Sequence, residues 1–357
     1  MKSSALVFAL LGVSVGSVWA QPAPSVYGVL DAGVVSERGC QVCATRVDSG
    51  VASESWLGVR GSDPLGANLS AVYALEAGVL LDTGRSDQGG VLFGREAYVG
   101  VSGKAGTVTI GRHHNLEYEA LTDVGDPFKG GTAGTASNLI GSGGRRVDNS
   151  IQYYSAEVNG VSAAASYGAG EVLGDRRANR AWGMSVGFEN GPLTIRAAHQ
   201  NRNVARVAPA TAMGNNMDAK NSILAANLRL GIATVYVAYS ASRGWGSSPL
   251  WNPDNPYGAG MATTPSTDSR DVLVGIAVPF GATTLLASYI RKNDRDLVNQ
   301  DANQLAFGAT YAMSRRTDFY AAYSRITNRN GAGYTVGNAA SQGRGSSALN
   351  LGMRHAF

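Results

Sequence analysis

The chain reads as an all-β protein, a single antiparallel sheet closed into a sixteen-stranded transmembrane barrel. Three observations give that class. Apolar and polar residues alternate with a period of two from residue 25 to Phe357. The connections between the alternating segments are short and long in strict turn. Beyond the N-terminal segment no apolar run reaches 18 residues although 44% of the chain is hydrophobic, so membrane-crossing helices are excluded while enough apolar surface remains to build a large sheet.

The first element is not part of the sheet. Lys2 precedes an apolar run from Ala5 to Val15, and Val18-Trp19-Ala20 fits a cleavage site before Gln21. Residues 1–20 are therefore expected to be a removed signal peptide. The competing reading, an uncleaved anchor helix, falls short of the ~20 apolar residues that a span needs. Residues 21–357 then form one outer-membrane domain, because no Pro-rich or Ser-rich linker interrupts the strand pattern.

Strands are expected in order at 25–35, 54–61, 68–79, 91–102, 105–112, 149–157, 160–168, 181–190, 193–201, 221–230, 232–241, 269–278, 282–291, 303–312, 317–327 and 346–357. Most approach the ~9 to 11 residues of a tilted membrane-spanning strand. Short turns lie at 62–67, 103–104, 158–159, 191–192, around Gly231, at 279–281 and at 313–316; long loops lie at 36–53, 80–90, 113–147, 169–180, 202–220, 242–268, 292–302 and 328–345. Short turns on the periplasmic rim and long loops on the extracellular rim are the habit of outer-membrane barrels.

Face by face, the alternation supports closure. Leu224, Ala226, Leu228 and Leu230 share one face and Ile223, Ala225, Asn227 and Arg229 the other; an Ala-rich helix competes here, but Gly231 and the following Tyr236, Val237 and Tyr239 favour a hairpin. Tyr73, Leu75, Ala77 and Val79 lie opposite Glu76, a carboxylate that needs a wet face. A sixteen-stranded barrel leaves an aqueous interior, and closure removes the exposed edges of so long a sheet. The first strand is then expected to pair with the last. In that last strand Leu349, Leu351, Met353, His355 and Phe357 share a face, with Phe357 as an outward anchor and candidate assembly signal.

Charge adds less. The formal net charge of +4 is too weak to imply nucleic acid, but 25 Arg against 5 Lys favours fixed cationic sites over general solubility. Cys40 and Cys43 form a C-x-x-C in the first long loop. A redox motif would need a thioredoxin-like helix and zinc would need further ligands, so a surface-loop disulfide is the expected state in an oxidising compartment. His113, His114 and Glu117 suggest a metal site only weakly, since adjacent histidines diverge on an extended chain, and no Gly-x-Ser-x-Gly nucleophile is present. No metal, cofactor or enzymatic activity is expected.

Several segments together resemble the trimeric general porins of Gram-negative bacteria, of the β-proteobacterial type. They are Val26-Tyr27-Gly28-Val29-Leu30-Asp31-Ala32-Gly33, Leu57-Gly58-Val59-Arg60-Gly61-Ser62, Leu75-Glu76, Arg95-Glu96-Ala97-Tyr98-Val99-Gly100, Thr109-Ile110-Gly111-Arg112, Asp148-Asn149-Ser150-Ile151 and Gly352-Met353-Arg354-His355-Ala356-Phe357. Residues 169–345 match only in rhythm.

The resemblance implies a passive pore for small hydrophilic solutes, with a third loop, roughly residues 113–145, folded inward to narrow it. That loop carries Glu117, Glu119, Asp123 and Asp126, which with Glu76 would supply the acidic side of a constriction, and it also carries Lys129. Opposite, the resemblance places Arg60, Arg95 and Arg146 as pore-lining bases, each also readable as a structural partner of a carboxylate, for instance Arg95 with Glu96. Trp56 stands where anion-selective relatives often have Arg, so the expected anion preference is modest. Expected partners are two further copies in a homotrimer, outer-membrane lipid and lipopolysaccharide, the assembly machinery through the C-terminal strand, and the solutes themselves. Two rival functions are a barrel hydrolase and a surface receptor or adhesin; steady ohmic steps in a planar bilayer separate a pore from both.

Overall fold

The computed structural model describes residues 23–40, 43–203, 218–249, 266–336 and 345–357. The expected signal peptide and parts of the loops at 202–220, 242–268 and 328–345 lie outside the described residues.

Sixteen strand lanes close on themselves, each antiparallel to both neighbours. They are β1 (Ser25–Arg38), β2 in two pieces (Thr45–Ser49 and Trp56–Gly66), β3 (Leu69–Leu80), β4 (Glu96–Gly103), β5 (Gly106–His114), β6 (Arg146–Ser155), β7 (Val161–Gly168), β8 (Ala181–Asn190), β9 (Leu193–Arg202), β10 (Ala219–Arg229), β11 (Thr234–Arg243), β12 (Asp268–Phe280), β13 (Thr283–Asp294), β14 (Ala302–Ala312), β15 (Thr317–Asn328) and β16 (Ser347–Ala356). A two-residue ladder, Arg85–Ser86, extends the end of β3. The barrel closes between β1 and β16, with Val29 opposite Ala356 and Arg38 opposite Ser347. Phe357 continues that ladder, its N–H donating to the Gly28 carbonyl at 3.1 Å.

The outer face is the apolar one. Leu224, Tyr239, Val272, Tyr289, Leu305, Tyr323, Leu349 and Leu351 are each more than 40% exposed, as befits side chains whose solvent is lipid. The expected strand at 91–102 begins only at Glu96, because residues 88–94 turn back over β3, with Gly89 and Gly90 at positive φ.

β2 departs most from the expectation of a plain loop at 36–53. Its first piece pairs with β1 from Ala32 to Ser36, and its second piece pairs with β1 from Ser25 to Val29. Six residues, 50–55, therefore stand opposite only Leu30 and Asp31, and the excess chain folds into the lumen. The excess is even, so side chains of both pieces keep the same inside and outside alternation.

Asp31 holds this inward segment. Its carboxylate accepts hydrogen bonds from the backbone N–H of Val51 at 2.9 Å, of Ala52 at 3.2 Å and of Ser53 at 3.1 Å. It also accepts one from the Tyr320 hydroxyl at 2.8 Å. Gly50 N–H donates to the Asp31 carbonyl at 2.8 Å, and Ser55 Oγ bonds both Asp31 backbone groups. Amides that would have paired across a regular ladder are thus satisfied by one buried side chain.

The third loop lies inside the barrel. After β5 the chain forms a short helix, Leu116–Glu119, that runs into a π-helical turn, Ala120–Gly125. Ala120, Leu121, Val124, Ala136, Leu139 and Ile140 pack against inward-facing Ala198, Ile223, Ala225, Ala238, Leu273, Ile290 and Ile326 of the wall. Leu121, Leu139 and Ile140 are at most 1% exposed, and burying each contributes ~1.5 to 3 kcal/mol. Close approach needs glycine at one wall position, since a Cβ on Gly275 would lie 2.7 Å from Pro127 Cγ. Polar ties fasten the rest. Asn115 donates to the carbonyls of Ser142 and Gly144, each at 2.8 Å, closing the loop's two ends. Lys292, paired with Asp271 at 3.1 Å, donates to the Leu139 carbonyl at 3.0 Å. Thr132 N–H donates to the Val51 carbonyl at 2.5 Å, joining the loop to the inward segment of β2.

Asp31→Ala leaves three amides and a tyrosine hydroxyl without their acceptor, so it is expected to destabilise the barrel by on the order of 3 kcal/mol. The measurement is the temperature at which the folded, heat-modifiable gel band is lost; an unchanged temperature would show that water replaces the carboxylate without cost.

Candidate functional site: the loop-narrowed constriction

Residues 50–54, the third loop and the wall strands β4 to β6 enclose a recess in the lumen. Its lining includes Glu54, Arg95, Arg145, Arg146, Lys129 and Asp123. Glu54 reaches this recess because the inward fold of β2 carries it off the wall. Three guanidinium groups converge on this one carboxylate. Arg95 Nη1 and Arg146 Nη2 pair with Glu54 Oε2, and Arg145 Nη1 pairs with Oε1 at 2.8 Å. Arg146 is 2% exposed and also donates from Nε to the Arg95 carbonyl at 3.0 Å.

Aromatic faces fix the guanidinium planes. Arg95 lies over the Trp56 ring at 5.0 Å and Arg145 over Tyr118 at 5.3 Å. Trp56 therefore brings no charge of its own but orients a neighbouring one. Tyr27 meets Trp56 edge-on at 4.8 Å, and Arg60 stacks over Tyr27 at 4.3 Å. Arg60 sits nearer the periplasmic end of β2, apart from the cluster, and forms no ion pair among the described residues.

The acids divide into three kinds. Glu76 is buried on the wall, taking Arg95 Nε at 3.1 Å and the Tyr27 hydroxyl at 2.6 Å. Arg95 is thus shared by Glu54 and Glu76, not paired with its sequence neighbour Glu96. Asp126 is fully buried and shapes the loop: its carboxylate accepts the N–H of Phe128 at 2.9 Å, Gly130 at 3.0 Å and Ala136 at 2.9 Å. Burial pushes its pKa up to about 6 against these bonds. Glu117 is also fully buried, and neither carboxyl oxygen has a hydrogen-bond partner. Glu119 accepts the Tyr154 hydroxyl at 2.8 Å, and Asp123, the most exposed of the set, lies 3.7 Å from Arg196. Of the loop acids expected at the constriction, Glu119 and Asp123 reach the recess, whereas Glu117 and Asp126 point into the loop's packing.

Elsewhere, Cys40 and Cys43 are joined as a disulfide. Phe357 is 40% exposed on the outer face, its ring against Gly28.

Sequence reasoning missed Glu54 and the part of Arg145 in the cluster. Glu54 fell at the expected start of a strand, and the only signal was an acid between two serines. Arg145 fell at the end of a loop, beside an arginine already assigned.

A closed sixteen-stranded barrel whose aqueous lumen is narrowed by an inward loop and lined by paired charges is a diffusion channel. The chain belongs to the Gram-negative porin family, whose profile matches residues 4–331. It is 24% identical to an outer membrane porin protein of Bordetella pertussis and 25% identical to outer membrane porin protein 32 of Delftia acidovorans, covering all of both chains in each case. Among solved structures it is similar to the anion-selective porin from Comamonas acidovorans, with a TM-score of 0.76 and 22% identity over 94% of this chain and 100% of that one. The trimer form of OmpT of Vibrio cholerae gives a TM-score of 0.66 at 17% identity, over 94% and 99% of the two chains. The protein is an outer-membrane porin channel. Family and relatives alike are channels rather than enzymes.

Burial raises the Glu117 carboxyl to about 8, above its ordinary value near 4.5. A folded-state pKa raised in this way gives stability that is fully present below pH 4.5 and lost as pH rises through about 8. Heat stability of the folded band is therefore expected to fall across that window in the native chain. Glu117→Gln should flatten the fall, because the amide stays neutral; an equally steep profile in that variant would assign the dependence to other groups.

Proposed function

We propose that the constriction gives this porin a modest preference for anions, set by Arg95, Arg145 and Arg146 with Lys129 in the recess and Arg60 below it. The observation that carries this reading is the convergence of three guanidinium groups beside the third loop. Against them stand Glu54, Glu76, Glu119 and Asp123, so the balance is a bias and not exclusion of cations. The Comamonas acidovorans porin described as anion-selective supports the same direction. Size selection comes from the third loop, and screening over ~8 to 10 Å still spans much of a narrow passage.

The chain works as a homotrimer in this reading, supported by the trimer form of Vibrio cholerae OmpT. Residues 1–20 are removed on export. On the lipid side, outward-facing Lys220, Arg243, Arg270, Arg291 and Arg325 occupy the loop ends of β10 to β15, above an exposed row of Tyr239, Tyr289 and Tyr323. Cations above aromatics at the membrane boundary suit the phosphates of lipopolysaccharide. Phe357 is the assembly signal read by the outer-membrane machinery.

Under a tenfold KCl gradient in dilute salt, the reversal potential should have the sign for chloride. Replacing Arg95 and Arg145 together by Gln should move it towards potassium, lowering the chloride-to-potassium permeability ratio roughly two- to fivefold. A native pore that already selects potassium would overturn the anion reading. Deleting residues 130–144 should raise single-channel conductance, whereas unchanged conductance in the folded deletion would remove the loop from the permeation path. Deleting Phe357 should cut the yield of folded protein in the outer membrane, measured as heat-modifiable trimer; normal yield would dismiss it as an assembly signal.

A further inference from the structure

Three arginines around one carboxylate pose a question of balance. In water-filled surroundings, each guanidinium left without a counter-charge would attract a passing anion and repel its two neighbours. Glu54 meets all three, and it reaches them only because residues 50–55 leave the wall. Its backbone has no free choice of position. Asp31 binds the three amides preceding it, and Ser55 is clamped to the Asp31 backbone by hydrogen bonds of 2.9 and 2.8 Å. The inward segment is pressed against the third loop as well, since a Cβ on Gly131 would collide with the Ala52 carbonyl. The carboxylate is therefore presented at a fixed point in the recess.

We propose that Glu54 is a specificity-determining residue of the pore, a tethered counter-anion that occupies the anion position formed by Arg95, Arg145 and Arg146 and so limits chloride preference. This rests on the reading of that cluster as the charge filter. Glu54 differs from the loop acids in its place. It belongs to the barrel's second strand lane, on the same side as the arginines, whereas Glu119 and Asp123 face them from the loop. Neutralising it removes negative charge while leaving every loop residue and all three arginines in the sequence.

A unit charge removed ~4 to 8 Å from an ion's path in water changes the ion's local concentration roughly two- to fivefold. The test is reversal potential under a tenfold KCl gradient with full-length native and Glu54→Gln trimers in planar bilayers, in dilute salt and again near 1 M. Glu54→Gln is expected to raise the chloride-to-potassium permeability ratio by about two- to fivefold in dilute salt, and the difference should shrink near 1 M, where charges are screened within ~3 Å. A ratio that is unchanged or lower in dilute salt overturns the proposal. So does a rise that persists undiminished near 1 M, which would mean altered pore shape. Should loss of the shared carboxylate prevent folding, the double variant Glu54→Gln with Arg146→Gln loses one charge of each sign. Its ratio should then match the native one, and a shift to potassium would show that Glu54 offset nothing. The two readings fail separately: a native pore selecting potassium defeats the anion preference, but Glu54→Gln would still move it towards chloride.

Discussion

The buried carboxylate of Asp31 is the constraint on which the lumen's organisation depends. A strand that leaves its ladder exposes amides that something else must satisfy, and in this wall a single side chain does so for three successive residues. Because Tyr320 of β15 donates to the same carboxylate, the inward segment is referenced to both sides of the barrel's closing seam. From there the dependence runs outward in order. The segment positions Glu54; Glu54 gathers arginines from the start of β4 and the start of β6; and Val51 accepts the third loop through Thr132. Each step is short in space and long in sequence.

The third loop is held by a different force. Its seam with β9 to β15 is apolar, and the inward residues there are Ala, Ile and Leu where a bare water-filled lumen would favour polar ones. The lumen is thereby divided. One half of the wall is covered by the loop and sees little water, while the other, from β1 to β6, keeps its charged side chains. Hydrophobic docking is indifferent to direction, so the specific orientation comes from the polar ties at Asn115, Asp126 and Lys292. The buried Lys292 and Asp271 pair adds little net stability by itself, but it has one geometry, and the Leu139 carbonyl must meet it.

How far the sequence reveals this depends on the range of the forces involved. Strands such as β10 and β16 are legible because alternation is local: Leu224, Leu228, Leu349 and Leu351 announce a lipid face without reference to any other element. The same alternation misleads slightly at Ile223 and Ala225, whose apolar side chains face inward because a loop a hundred residues earlier covers them. The first piece of β2 is too short and too mixed to read, since Thr45 to Ser49 contains Arg46 and Asp48. The site was half legible. Resemblance marked Arg95 and Arg146, but Glu54 lay hidden because its position is set by an even excess of residues opposite Asp31, and register excess has no signature in a single strand. Trp56 reads as the loss of a charge, and only the fold shows that its ring holds one in place.

The even excess in β2 has a consequence for how such a channel can change. Strand phase on either side of residues 50–55 is already reconciled with β1, so the alternation of the wall does not depend on the side chain at position 54. A mutation there can alter the charge balance of the passage while every lipid-facing residue keeps its address. Wall register and filter charge are inherited as separate variables, and position 54 is a place where permeability can drift under selection without shifting the strands on either side.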